Sequence, residues 1–326
     1  MTDTVTITLD DAEPGVAKCA RCPTNRKRDM TITISRRQAM AGALLAIPAV
    51  SALTAGTSRA AGENLAQRLA ALEARHGGRI GVAIHNLSTG ARLGHNTDER
   101  FLMCSTFKAL LAGHILVRVD RGEETLDRRI VVKEADLVDW SPVVEKRIGG
   151  DVISIAELCE ATITLSDNAA ANLLLAASGG PKAVTAFLRG LGDEVTRLDR
   201  TEPTLNYHET PGDERDTTTP SAMVETLRRL LFTDVLSARS KAQLAAWLIM
   251  NKTGDTRLRA GFPADWMTGD KTGTNGDKAG NANDVAVAWS PDRGAVIVAA
   301  FCEIPGISGD ERNAVIAEIG RIAAEV

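Results

Sequence analysis

Aromatic side chains are scarce in this 326-residue chain, where Phe, Trp and Tyr together make up 3%. A core must therefore be built from Leu, Ile, Val and Ala. A basic excess is lacking too. The formal net charge is −4, and the surplus of Lys and Arg is confined to the first sixty residues. Nucleic-acid binding wants a basic face, so no such partner is expected. The histidines, His76, His85, His95, His114 and His208, are scattered. No His-x-His or His-Glu-x-x-His pattern occurs, so neither a metal nor another cofactor is expected. Cysteine is sparse: Cys19-Ala-Arg-Cys22 has no second pair to complete four zinc ligands. Cys104, Cys159 and Cys302 are an odd number, which leaves at least one thiol unpaired within the chain.

Long apolar runs are also missing. The stretch 38–58 is uncharged, but small and polar residues and Pro48 make it too weakly apolar for a confident membrane span. It follows Ser35-Arg36-Arg37-Gln38 and ends in Ser58-Arg59-Ala60, a small-x-small cleavage pattern. Paired arginines before such a stretch resemble a twin-arginine export signal. Residues 1–60 are expected to be an extension and signal removed near Ala60. The twin-arginine translocase would carry the precursor to the periplasm or outside the cell. Met30 offers an alternative start, giving the signal a short basic head.

What remains, residues 61–326, has ordinary globular composition. Leu65, Leu69 and Leu72 have helical spacing, closed by Gly77-Gly78; Ile80, Val82 and Ile84 alternate as a strand. Ser88-Thr89-Gly90 turns that strand back. Helices are expected after Ser105, after the capping box Ser154-Ile-Ala-Glu157, after Asn168, from Pro181, after Thr219-Pro220 and from Ser237. The polar stretch 199–218 reads as a long loop. Val285, Val287 and Trp289 alternate, 295–301 is a continuous apolar strand, and Val315, Ile316, Ile319 and Ile322 mark a last helix. Strands near both ends and helices between predict an α/β (α+β) fold. One antiparallel sheet is built from 61–103 and 261–326 and flanked by helices. An inserted helical part, 104–260, stands against it, with the active site between.

Three short motifs follow in order: Ser105-Thr106-Phe107-Lys108, Ser166-Asp167-Asn168 and Lys271-Thr272-Gly273. On a helix, i and i+3 share a face, so a serine hydroxyl and a lysine amine approach each other there. A serine needs a neighbouring group to take its proton before it attacks. Each motif alone fits a bland reading: a helix start with a surface lysine, a loop cap, a lysine before a strand. In one order they reinforce one another.

On these motifs, residues 61–326 resemble the class A serine β-lactamases. Arg200-Thr-Glu202-Pro-Thr-Leu-Asn206 matches that family's omega-loop motif, and 213–220 its closing end. The resemblance implies an Arg200–Asp216 pair. It makes Ser105 the nucleophile, with Lys108 or Glu202 as the base for acylation. It gives Ser166 a proton relay and Asn168 a hold on Lys108 and the substrate amide. Glu202, with Asn206 fixing a water, would clear the acyl group. The backbone amides of Ser105 and Thr274 would receive the oxyanion. Lys271 and Thr272, beside Gly273, would bind the substrate carboxylate, reinforced by Arg257. Trp140 falls where the family places an aromatic gatekeeper.

The implied activity is hydrolysis of penicillin- and cephalosporin-type rings through a serine acyl-enzyme, conferring antibiotic resistance, by a monomer with β-lactams as its small-molecule partners. Cys104 and Thr274 extend the resemblance to the carbapenem-hydrolysing branch. That branch pairs its cysteine with one where this chain has Asn275, so the disulfide cannot form. The segment 275–281 is about two residues longer than usual for the family. A D-alanyl-D-alanine peptidase shares the three motifs without the Glu202 loop. A β-lactam sensor would need a membrane span and no deacylating base.

Overall fold

The computed structural model describes residues 64–326 except 151, 211 and 277. The export segment and Cys19 and Cys22 lie outside the described residues. In chain order, helix α1 (64–76) precedes strands β1 (Arg79–Asn86), β2 (Arg92–His95) and β3 (Phe101–Leu102). A 3-10 turn at Cys104–Thr106 opens α2 (Phe107–Asp120). Strands β4 (Arg129–Val131) and β5 (Val152–Ser154) precede α3 (Ile155–Thr164), α4 (Asn168–Ala177) and α5 (Pro181–Gly190). The two-residue β6 (Thr217–Thr218) leads into α6 (Pro220–Phe232), α7 (Ala238–Ile249) and α8 (Leu258–Gly261). Strands β7 (Met267–Thr274), β8 (Asn281–Ser290) and β9 (Gly294–Glu303) and helix α9 (Gly309–Ala323) complete the chain.

Local chemistry sets these boundaries. Ser154 and Glu157 form a reciprocal capping box at the start of α3, as Ser308 and Glu311 do at α9. Pro181 occupies the first turn of α5, where its missing N–H costs nothing.

The sheet is antiparallel throughout, in the order β2-β1-β9-β8-β7. Alternation along each strand sorts side chains into two cores. Ile80, Val82, Ile84, Val296, Val298 and Ala300 face the terminal helices α1 and α9. Ala83, Val285, Val287, Ile297, Ala299 and Phe301 face the helical block. Both faces are covered, so these strands read as near-continuous apolar runs. Burying each large aliphatic side chain contributes about 1.5–3 kcal/mol.

The middle block carries, besides its helices, the antiparallel pair β4–β5, which sets Ile130 opposite Ile153. Strand β6 pairs with β3, Phe101 opposite Thr218. That pairing brings the end of the 199–218 loop beside the turn that opens α2. No described helix is long and apolar enough to cross a membrane.

Candidate active site

Ser105 lies in the 3-10 turn before α2, and the residue before it, Cys104, has φ +45°. A left-handed non-glycine residue is uncommon and marks a constrained turn. One helical turn on, Lys108 is fully buried. Its Nζ donates to Ser105 Oγ at 3.0 Å, Ser166 O at 2.8 Å, Ser166 Oγ at 3.3 Å and Asn168 Oδ1 at 2.5 Å. It also lies 2.9 Å from Glu202 Oε1, and neither side chain of that pair is exposed. Burial pushes the Lys108 amine below its ordinary value, against the pull of Glu202.

The second motif is a tight corner between α3 and α4, with Ser166 at φ +57°. Asp167 fixes it from below. One carboxylate oxygen caps α4 at Ala170 N, and the other accepts Val143 N at 2.8 Å and Val144 N at 3.1 Å. Asn168 donates to Asp139 O, and its own amide donates to Trp140 O.

The third motif ends β7. Lys271 is fully buried, and its Nζ donates to Ser166 Oγ at 3.1 Å and Thr272 O at 2.8 Å. Its amine is held well below the ordinary value, first by burial and next by the Lys108 charge. Ser166 Oγ therefore stands between two buried amines, a place where a proton can be handed on. The Thr272 hydroxyl meets that of Thr253 at 2.6 Å.

The 199–218 loop brings in the carboxylate. Glu202 Oε1 accepts from Ser105 Oγ at 3.3 Å, and Oε2 accepts from Asn206 Nδ2 at 2.6 Å. The loop is clasped at its base. Asp216 accepts Asp199 N at 2.7 Å, Arg200 N at 2.9 Å and Arg200 Nε at 2.6 Å, and its own side chain is fully buried.

A cavity of about 340 Å³ opens above these groups, lined by Ser105, Trp140, Ser166, Asn168, Asn206, Thr253, Arg257, Thr272 and Thr274. Arg257 is the one charged side chain in that lining, and Lys108, Lys271 and Glu202 are buried beneath it. A serine beside a lysine and a carboxylate, under a cleft fit for an anion, can perform acyl transfer.

The sequence model of the β-lactamase enzyme family matches residues 64–326. The chain is also 60% identical to the solved structure of an ancestral class A β-lactamase (GNCA), with TM-score 0.77, covering 80% of this chain and 99% of that one. The chain belongs to the class A β-lactamases. As a β-lactamase it is a hydrolase acting on the β-lactam amide bond. It is 47% identical over 277 residues to β-lactamase L2 of Stenotrophomonas maltophilia, covering 85% of this chain and 87% of that one. It is 40% identical over 291 residues to β-lactamase Toho-1 of Escherichia coli, covering 89% and 98% respectively.

In this β-lactamase the remaining expected residues divide by position. Trp140 is 64% exposed at the cleft mouth, with its indole N–H donating to Leu165 O. Arg257 is buried behind β7. It donates to Thr274 Oγ1 at 2.6 Å, Gly273 O at 2.9 Å and Asn283 O at 2.7 Å. It thus reaches the cavity wall from beneath the strand that carries Thr272 and Thr274. Gly273 lies against the Ser105 turn, where an added Cβ would stand 2.6 Å from Met103 O. Cys104, Cys159 and Cys302 are all free and buried. Asn275, in the place of a cysteine partner, donates to Asn206 O and Asn281 Oδ1.

Sequence reasoning passed over three contributors. Asn172 clamps the Glu202 backbone, accepting its N–H at 2.9 Å and donating to its carbonyl at 2.9 Å. Asp167 and Thr253 carry no role of their own in the sequence reading: Asp167 stands there only as the middle of its motif, and Thr253 is not singled out. The capping position of Asp167 was a signal in the sequence; Asn172 gave none, because an Asn on a helix is ordinary.

Proposed function

We propose that this enzyme opens penicillin- and cephalosporin-type rings through an acyl-enzyme on Ser105 and so confers antibiotic resistance. Ser105 Oγ attacks the lactam carbonyl. Its proton passes to Lys108 or Glu202, both within reach at 3.0 and 3.3 Å. The tetrahedral oxyanion is received by the backbone amides of Ser105 and Thr274. Ser166, bridged by two lysines, relays a proton to the departing nitrogen. Lys271, Thr272 and Arg257 behind Thr274 bind the substrate carboxylate, while Asn168 and Trp140 border its side chain. Glu202, steadied by Asn206 and by the clasp of Arg200 on Asp216, then directs a water onto the ester.

The observation that carries this reading is the position of Glu202, in contact with both Lys108 and Ser105. A peptidase or sensor that keeps its acyl group has no need of that carboxylate. Carbapenems belong within the proposed range on the strength of Cys104 and Thr274, without the disulfide. We further propose a monomer, exported through the twin-arginine translocase and matured near Ala60, with 61–326 as the catalytic domain. The α/β part (61–103 and 261–326) and the helical part (104–260) would hold the cleft between them.

The test is Glu202→Gln. We expect multiple turnovers of a chromogenic cephalosporin by the parent. The variant should lose turnover by about 10²–10⁴-fold and accumulate an adduct on Ser105 visible by intact mass. A single stoichiometric burst from the parent would favour a sensor. Unchanged turnover in the variant would remove Glu202 from the mechanism.

A further inference from the structure

Asn283 lies on β8, opposite Gly273 of β7 and Phe301 of β9, with no solvent exposure. Its strand neighbours on that face, Val285 and Val287, are apolar and pack on the helical block. An amide there is an expensive choice. Its Oδ1 has no hydrogen-bond partner among the described residues, and a buried polar atom left unpaired is a cost. What the amide gains is on its nitrogen. Asn283 Nδ2 donates to Leu102 O at 2.8 Å and to Met103 O at 3.2 Å.

Those two carbonyls immediately precede Cys104, whose φ is +45°, and Ser105 itself. The turn is held from other sides as well. Met103 N donates to Asp216 O at 3.0 Å, and Thr106 Oγ1 donates to Met103 O at 2.8 Å. A left-handed residue persists only where its surroundings over-determine it. Asn283 is the part of that restraint supplied by the sheet. The same residue's main-chain carbonyl accepts from Arg257, which also holds Gly273 O and Thr274 Oγ1. One strand position thus ties the turn bearing Ser105 to the end of β7 bearing Thr274.

We propose that Asn283 is a positioning residue for acylation. It fixes the Leu102–Met103 carbonyls so that Ser105 Oγ and Ser105 N–H keep a constant aim relative to Thr274. Reactive geometry is steep: a displacement on the order of 1 Å costs about 10²-fold in rate. The proposal rests on Ser105 being the acylated serine, and it adds a residue that touches no substrate.

The experiment uses Glu202→Gln protein, in which an acyl adduct accumulates. Acylation by a penicillin is followed in a single turnover by quenched-flow intact mass. The limiting rate and the half-saturating concentration are measured separately, and the rate is taken only over the fraction that becomes acylated. Adding Asn283→Ala should lower the limiting rate about tenfold or more, with half-saturation changed less than about threefold. A purely structural role would lower the acylable fraction and the unfolding midpoint but leave the rate of the surviving fraction alone. Asn283→Ser, which keeps one donor on a shorter arm, should fall between the two. It decides the matter if the alanine variant does not fold. A limiting rate within about twofold of the parent, or a loss confined to half-saturation, would overturn the proposal. No adduct in the Glu202→Gln protein would instead overturn the reading beneath the proposal, that Lys108 suffices as base for acylation of Ser105.

Discussion

Asp216→Asn is the most exacting perturbation of the loop that carries Glu202. The native carboxylate accepts three hydrogen bonds, from Asp199 N, Arg200 N and Arg200 Nε, and none of its side chain is exposed. Asparagine keeps the shape. Its Oδ1 still accepts the two backbone amides. Its Nδ2 then faces Arg200 Nε, a donor against a donor, and the guanidinium, only 15% exposed, keeps as counter-charge just the exposed Glu209 carboxylate at 3.8 Å. Breaking a buried ion pair from one side costs about 3–5 kcal/mol. In a domain of this size each kcal/mol moves Tm by about 2–4 °C, so a fall of about 6–20 °C is expected. Differential scanning fluorimetry of the mature protein measures it. Turnover of a chromogenic cephalosporin, assayed well below the new midpoint, should also fall, because the loop sets the place of Glu202. The double variant Arg200→Met with Asp216→Asn should recover part of the loss, since no charge is then left buried and unpaired. A midpoint within about 2 °C of the parent, or a double variant worse than the sum of the singles, would refute the idea that this pair clasps the loop.

Asp284 is fully buried, and burial together with the charge of Asp270 holds its carboxyl well above the ordinary range. The folded state therefore keeps this proton more tightly than the unfolded chain, and the stability linked to it is lost as pH rises from the ordinary carboxylate value towards the raised one. Asp284→Asn should remove that loss, so its Tm advantage over the parent should grow with rising pH. A difference independent of pH would contradict the assignment. For export, replacing Arg36-Arg37 with Lys-Lys should trap precursor in the cytoplasm in a fractionation experiment, and normal processing would point to the general secretory route.

The sheet was legible because its strands are buried on both faces, so 295–301 reads as one apolar run and β1 as a strict alternation of large side chains. Helix starts were legible at linear patterns such as Ser154 and Glu157 or Pro181, while the same box at Ser308 and Glu311 went unread. The β4–β5 pair was not. Each strand is three residues long, and the loop between them is charged. The groups proposed to react were legible for the same reason as the caps: Ser105 and Lys108, or Lys271 and Thr272, are neighbours in sequence before they are neighbours in space. Their supports act at long range. Asn172 holds the backbone of a residue thirty positions away, and Asn283 holds carbonyls 180 and 181 positions away. Neither leaves a local signature, because the partner is a main-chain atom that any residue supplies.

The same asymmetry explains where backbone strain gathers. Among the described residues, the non-glycine positions with positive φ are Asn96, Cys104, Trp140, Ser166 and Asp216. All but Asn96 belong to the site or to the clasp of its loop. Each such conformation costs about 1–3 kcal/mol and must be held by its surroundings. The holding contacts can be named. Ser166 O accepts from Lys108, and Trp140 is pinned by its indole on Leu165 O and by Asn168 N on its carbonyl. Cys104 follows carbonyls fixed by Asn283, and Asp216 closes on Arg200. In two of the four cases a restraining side chain, Lys108 or Arg200, belongs to the motifs themselves. The Lys108 amine, proposed to serve the chemistry, therefore also holds the backbone of the Ser166 corner. Removing Lys108 would release the Ser166 corner as well as deprive Ser105 of a partner, so the loss seen on its substitution is not the worth of the amine alone.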